Sequence, residues 1–202
     1  ADCALFVIAA NEGVDELTKT LWMECSQVGM PRAVVITKLD HARANYDSAL
    51  AEAQQAFGDK VLPLYIPANS PCTGLIGLLS QTHYEYADGK RTGTHAPDAS
   101  YADSISELRG TLIEGIIEES EDETLMERYL GGEEIDQAVL IDDLEKAVAR
   151  ASFFPVLPVC SSTGVGTLEL LEIATSGFPA PAEHPMPEVF TPQGGTRNGV
   201  AC

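Results

Sequence analysis

The chain opens on an unbroken apolar run, Ala4-Leu-Phe-Val-Ile-Ala-Ala10. Continuous runs of this length suit strands buried on both faces of a sheet. A helical pattern follows, with Val14, Leu17, Leu21, Met23, Cys25 and Val28 as its apolar positions. Asp15 and Glu16 sit near its start, where negative charge favours the helix dipole, and Gly29 and Pro31 stop it. A second apolar run, Ala33–Ile36, predicts another buried strand; Tyr46–Phe57 predicts a helix ended by Gly58. Val61-Leu-Pro-Leu-Tyr-Ile66 reads as a third strand, placed at a sheet edge because Pro63 has no N–H to give. Strand, helix, strand, helix, strand at these spacings predicts βαβ units and a parallel sheet.

The pattern then changes. Thr73–Glu85 alternates like a strand region, Asp88-Gly89 marks a turn, and Lys90–Ala99 is a polar stretch. Three helical segments follow. Ser104–Glu118 carries Ile105, Leu108, Leu112, Ile113, Ile116 and Ile117 on one face; Glu123–Leu130 is short and stops at Gly131-Gly132; Ile135–Ala151 is amphipathic with acidic residues outside. The α/β pattern returns in Phe154-Pro-Val-Leu-Pro-Val-Cys160, then Ser161-Ser-Thr-Gly164 and a helix over Val165–Ser176. Pro179, Pro181, Pro185 and Pro187 make a stiff tail that reads as an interdomain linker.

Composition narrows the function classes. A chain of 202 residues that is 45% hydrophobic supports one core, or one core with an appendage. No apolar run approaches the roughly 18–20 residues that span a bilayer, and no basic segment precedes the first run as in a signal peptide. Twelve basic against 31 acidic residues leave a net charge of −19. Such a chain is repelled by nucleic acid phosphates, which argues against a broad RNA or DNA grip and suits a basic protein partner or simple solubility. The cysteines at 3, 25, 72, 160 and 202 are odd in number, widely spaced and never Cys-x-x-Cys. They read as free thiols of a reducing cytoplasm, with Cys3 and Cys160 as small core residues. Histidines 41, 83, 95 and 184 are scattered, with no metal-ligand spacing.

Two segments carry chemistry. Ile36-Thr-Lys-Leu-Asp40 lies at the end of a buried strand, where open α/β sheets bind ligands. A fixed Asp40 carboxylate can accept two parallel hydrogen bonds, and guanine offers a ring N–H and an exocyclic amine on one edge. The Lys38 stem can lie on a purine face while its ammonium stays polar. Val159-Cys-Ser-Ser-Thr-Gly-Val-Gly166 is the second strand end, whose backbone N–H groups can meet a base carbonyl. Ser161 or Thr163 can equally be a helix N-cap, and Lys-x-Asp equally a solvated turn.

The two loops, roughly 120 residues apart with a block of different character between them, resemble the translational GTPases, above all the elongation factor G family. There a strand ends in Asn-Lys-x-Asp, an insert follows, and a strand ending in Ser-Ala reaches the guanine. Here the positions read Thr37-Lys38-Leu39-Asp40 and Ser161-Ser162-Thr163. Gly29-Met-Pro-Arg32, Thr73-Gly-Leu-Ile-Gly-Leu-Leu, Leu125-Met-Glu-Arg-Tyr-Leu130 with Gly132-Glu-Glu-Ile135, and Phe178-Pro-Ala-Pro also match the family's text. The resemblance runs from about residue 3 to 182.

It implies an α/β fold: part of a P-loop-type G domain, three-layered with a mostly parallel sheet, over 1–57 and 153–178. An acidic α+β insert covers 58–152, and 179–202 is a linker toward a next domain. It implies a parent that binds GTP or GDP and acts on the ribosome, with the insert facing the basic ribosomal stalk protein. The guanine-nucleotide contacts fall on Thr37, Lys38, Asp40, Ser161, Ser162 and Thr163. Thr37 replaces the family's Asn and Ser162 its Ala, which points to a divergent member and to altered nucleotide affinity. The sequence has no Gly-x-x-x-x-Gly-Lys-Ser/Thr loop and no Asp-x-x-Gly for magnesium. In the family these precede the point where this chain begins, so the chain is expected to be inactive alone and to leave strand edges and apolar faces uncovered. A different reading is an acidic interaction module without nucleotide function. A dinucleotide enzyme fits worse, because Gly-x-Gly-x-x-Gly is absent.

Overall fold

The structure is a computed structural model that describes residues 2–180, 188–190 and 196–198. Its elements are β1 (Ala4–Ala9), α1 (Glu16–Gln27), β2 (Arg32–Thr37), α2 (Tyr46–Phe57), β3 (Val61–Pro63), β4 (Tyr65–Ala68), β5 (Gly74–Gly77), β6 (Thr82–Ala87), β7 (Lys90–His95), α3 (Ala102–Ile117), α4 (Thr124–Leu130), α5 (Gln137–Ala149), β8 (Phe154–Pro158) and α6 (Thr167–Glu172). A short antiparallel ribbon, β9 (Glu188–Phe190) and β10 (Thr196–Asn198), lies in the stretch expected to be linker. Pro181, Pro185 and Pro187 fall outside the described residues.

Four strands form a parallel sheet in the order β1-β2-β8-β3. β3 takes the edge, where Pro63 costs no ladder bond. The sheet thus reaches past residue 57, where the first half of the G domain was expected to end. At Leu64 the chain leaves this sheet and enters a second, antiparallel one of order β4-β5-β6-β7. Leu64 serves both: its N–H donates to the Val156 carbonyl, and its own carbonyl accepts from Leu78. The sequence marks Lys90–Ala99 only as a polar stretch, yet Lys90–His95 pairs with β6. Cross-strand pairing here overrides composition.

The sheet's two faces differ. Phe6, Ile8, Val34, Ile36 and Val156 join the main core. Ala33, Val35, Leu157 and Val159 form a second, smaller cluster against Leu170, Ile173 and Phe178. α1 forms where its pattern places it but buries little of that pattern. Leu17, Leu21, Met23 and Val28 are exposed, and its one buried residue is Trp22. The Trp22 ring stacks on Phe57 at 4.2 Å and meets Phe6 and Phe154 edge-on. The Arg32 guanidinium lies 4.4 Å from both the Trp22 and Phe154 rings and donates to the Trp22 carbonyl at 2.8 Å. One aromatic cluster therefore ties α1 to the sheet. Leu5 and Val7 on β1 are exposed as well, so this side of the sheet shows the expected uncovered apolar surface.

In the insert, α3 buries Ile105, Leu112, Ile113, Ile116 and Ile117, and α5 buries Leu140, Leu144, Ala147 and Val148. Cys160 is buried as expected; Cys3 is only half-buried, because β1 lies at the sheet edge. Among the described residues no helix is long and apolar enough to cross a membrane.

Candidate functional site

β2 and β8 are parallel neighbours, so their carboxyl ends open at the same edge of the sheet. After β2 the chain turns through Thr37, Lys38 and Asp40, with buried Leu39 anchoring the turn. Ala10 donates its N–H to the Thr37 carbonyl at 2.9 Å, fixing the turn to the end of β1. Lys38 adopts a left-handed backbone (φ 59°), and its ammonium pairs with Glu12 at 3.1 Å. Glu12 was not among the expected site residues. Its pairing follows from β1 and β2 being adjacent, which no local motif reveals.

After β8 the second loop closes on itself. Cys160 donates its N–H to the Val165 carbonyl at 2.8 Å, and Thr163 returns to the Cys160 carbonyl through its N–H at 3.3 Å and its hydroxyl at 3.4 Å. Ser161, Ser162 and Thr163 are exposed on this loop. The two loops meet: the Ser162 hydroxyl donates to Oδ2 of Asp40 at 2.7 Å. The Ser162 oxygen is also 3.2 Å from the buried Cys160 sulfur. The Ser162 bond, with Asp40's own backbone amide, holds the Asp40 carboxyl below its ordinary value of 3.8. Each carboxylate oxygen has two lone pairs, so Oδ2 can accept from Ser162 and still face a ligand.

Of the six expected residues, the structure brings Asp40 and Ser162 into contact, pairs Lys38 with Glu12, and displays Ser161 and Thr163 nearby. Thr37 ends β2, half-buried. A cavity of about 340 Å³ between α5, the antiparallel sheet and the segment 172–177 contains none of them. Among the described residues no three metal-ligating side chains cluster.

Residues 1–180 match the family described as the elongation factor Tu GTP binding domain. The chain belongs to this family. Its architecture is that of a partial GTP-binding domain of the P-loop type with an α+β insert. It is 77% identical over 202 residues to an elongation factor G-like protein of Mycobacterium tuberculosis (strain H37Rv), covering 100% of this chain and 28% of that protein. It is 29% identical over 198 residues to elongation factor G of Mycoplasma pneumoniae, covering 96% of this chain and 28% of the relative. A crystal structure from Thermus thermophilus superposes with a TM-score of 0.79 at 31% identity, over 91% of this chain and 27% of that one. The GTP-binding domain described here thus spans 28% of the length of the curated relatives it matches.

Proposed function

We propose that this chain is the guanine-reading part of the GTP-binding domain of an elongation factor G-like protein acting on the ribosome in the cytoplasm. The observation that carries this reading is the Asp40–Ser162 bond, which fixes a carboxylate at the shared end of two parallel strands. Asp40 accepts from the guanine ring N–H and exocyclic amine, a pair that adenine does not present. The Lys38 stem covers one face of the base, with Glu12 holding its ammonium. Thr37 supports the turn. The loop of Ser161, Ser162 and Thr163 offers backbone N–H groups to the base carbonyl.

The bound cofactor is GTP or GDP. Magnesium and the phosphates need a loop of Gly-x-x-x-x-Gly-Lys-Ser/Thr type, and these 202 residues contain none, so no hydrolytic step is assigned to them. Asp103, Glu107, Glu114, Glu123, Glu127 and Glu134 are exposed on and around the insert helices. They suit a basic partner, the ribosomal stalk protein in this reading.

The test is calorimetric titration of the complete gene product with GDP and ATP. Micromolar GDP binding that Asp40→Asn abolishes, with no ATP binding, supports the reading. Absence of GDP binding leaves the acidic interaction module in its place.

A further inference from the structure

The loop carrying Ser162 is not held by the parallel sheet alone. The β6–β7 hairpin of the insert reaches across to it. At the hairpin tip Asp88 (φ 50°) and Gly89 (φ 73°) both adopt left-handed backbone, as a tight two-residue turn requires. Gly89 lies directly against Gly164, itself at φ 74°. A methyl group at position 164 would stand 2.5 Å from the Gly89 Cα and 3.0 Å from its carbonyl oxygen. Backbone meets backbone here, and only glycine leaves the room.

Behind the tip, Tyr86 and Arg91 face each other across the hairpin. Both reach Glu169 on α6, the helix that follows the loop. The Tyr86 hydroxyl lies 2.7 and 2.5 Å from the two carboxylate oxygens, and Arg91 Nη2 donates to Oε1 at 2.6 Å. The Arg91 guanidinium also lies 4.4 Å from the Tyr84 ring. Glu169 is only 1% exposed. A buried carboxylate is tolerated where its charge and lone pairs are met, and both partners come from the insert.

We propose that Tyr86, Arg91 and Glu169 are positioning residues for guanine recognition. The insert hairpin sets the loop at Gly164 and clamps α6 at Glu169, and the loop in turn aims Asp40 through Ser162. None of the three touches the base. This rests on the base-reading role given to Asp40 above. Loss of the clamp leaves a carboxylate buried without its cation, and the loop moves relative to β2. A small displacement of a bidentate acceptor costs selectivity as well as affinity.

The test uses the complete gene product, titrated with GDP and with IDP, whose base lacks the exocyclic amine. Arg91→Gln weakens GDP binding roughly tenfold and reduces the preference for GDP over IDP, while Arg91→Lys restores part of both. Tyr86→Phe keeps the ring and loses only the hydroxyl, so it decides the matter if Arg91→Gln does not fold, as judged by circular dichroism. Asp40→Asn is run in parallel. If Asp40→Asn removes the preference and folded Arg91→Gln and Tyr86→Phe proteins keep it, the positioning role is overturned and base reading stands. If Asp40→Asn also leaves the preference intact, base reading itself has failed and the proposal falls with it.

Discussion

Ser162 donates its hydroxyl to Oδ2 of Asp40 at 2.7 Å, joining loops 122 positions apart. In the sequence Ser162 is a departure from its family's Ala; in the structure it is the group that fixes the carboxylate. Ser162→Ala is therefore expected to weaken GDP binding by the complete gene product roughly tenfold, since a bond to a charged acceptor is lost. Both side chains are exposed, so the melting temperature should hold. Equal GDP affinity in the two proteins would show that Asp40 is oriented by other means.

The same bond sets a pH dependence. Asp40 titrates below its ordinary value of 3.8, first because of Ser162. A depressed folded pKa means that the ionised form, and whatever depends on it, is present above that value and lost as pH falls through it. GDP binding limited by Asp40 should fail only below the ordinary carboxylate range. In Ser162→Ala the acid limb should shift to higher pH, which titrations at a series of pH values would reveal.

Asp40→Asn exchanges a two-fold acceptor for an amide that both donates and accepts. Xanthine carries a carbonyl where guanine carries the exocyclic amine. The variant keeps an acceptor for the ring N–H that both bases carry and offers the xanthine carbonyl a donor, so it should prefer XDP to GDP by about tenfold or more. Competition of unlabelled XDP and GDP against a fluorescent nucleotide measures this directly.

Trp22 is the chain's only tryptophan and the centre of the aromatic cluster that ties α1 to the sheet. Trp22→Ala should cost about 3–5 kcal/mol and lower the melting temperature by about 10 °C. Trp22→Phe should recover more than half of the loss. A melt followed by circular dichroism checks both, and a change below about 1 kcal/mol would mean that α1 is not anchored there.

Cys72 is buried, and burial pushes its thiol up to about 11. The thiolate is the reactive form, so at pH 8 Cys72 should resist iodoacetamide while half-buried Cys3 and Cys25 react. Its reactivity should rise as the pH approaches that value. Mass mapping of the labelled peptides gives the order.

Legibility in the sequence followed the reach of each interaction. The α2 bounds, Tyr46–Phe57, were readable because a local apolar stripe and Gly58 define them. Pro63 marked the edge strand because the missing N–H is a property of one residue. α1 was found from its apolar positions, yet of its residues Trp22 alone is buried. Periodicity shows which residues could be covered, not what covers them. β7 was hidden because Lys90–His95 is polar and its strand character comes from β6. At the site, the two loops were visible as strand ends. The Lys38–Glu12 pair and the Glu169 clamp were not, since each joins residues brought together only by tertiary contact.

The handover at Leu64 restricts how this architecture can be edited. One uninterrupted stretch, from Val61 to Ala68, is the last strand of the parallel sheet and then the first of the antiparallel sheet. There is no slack segment at which scissors could be placed. Swapping in a short connector between Leu64 and Phe154 would strip Leu64 of the Leu78 partner that secures its carbonyl and expose the flank of β8 that β4 now borders. The insert is better regarded as a graft whose bark has grown into the trunk.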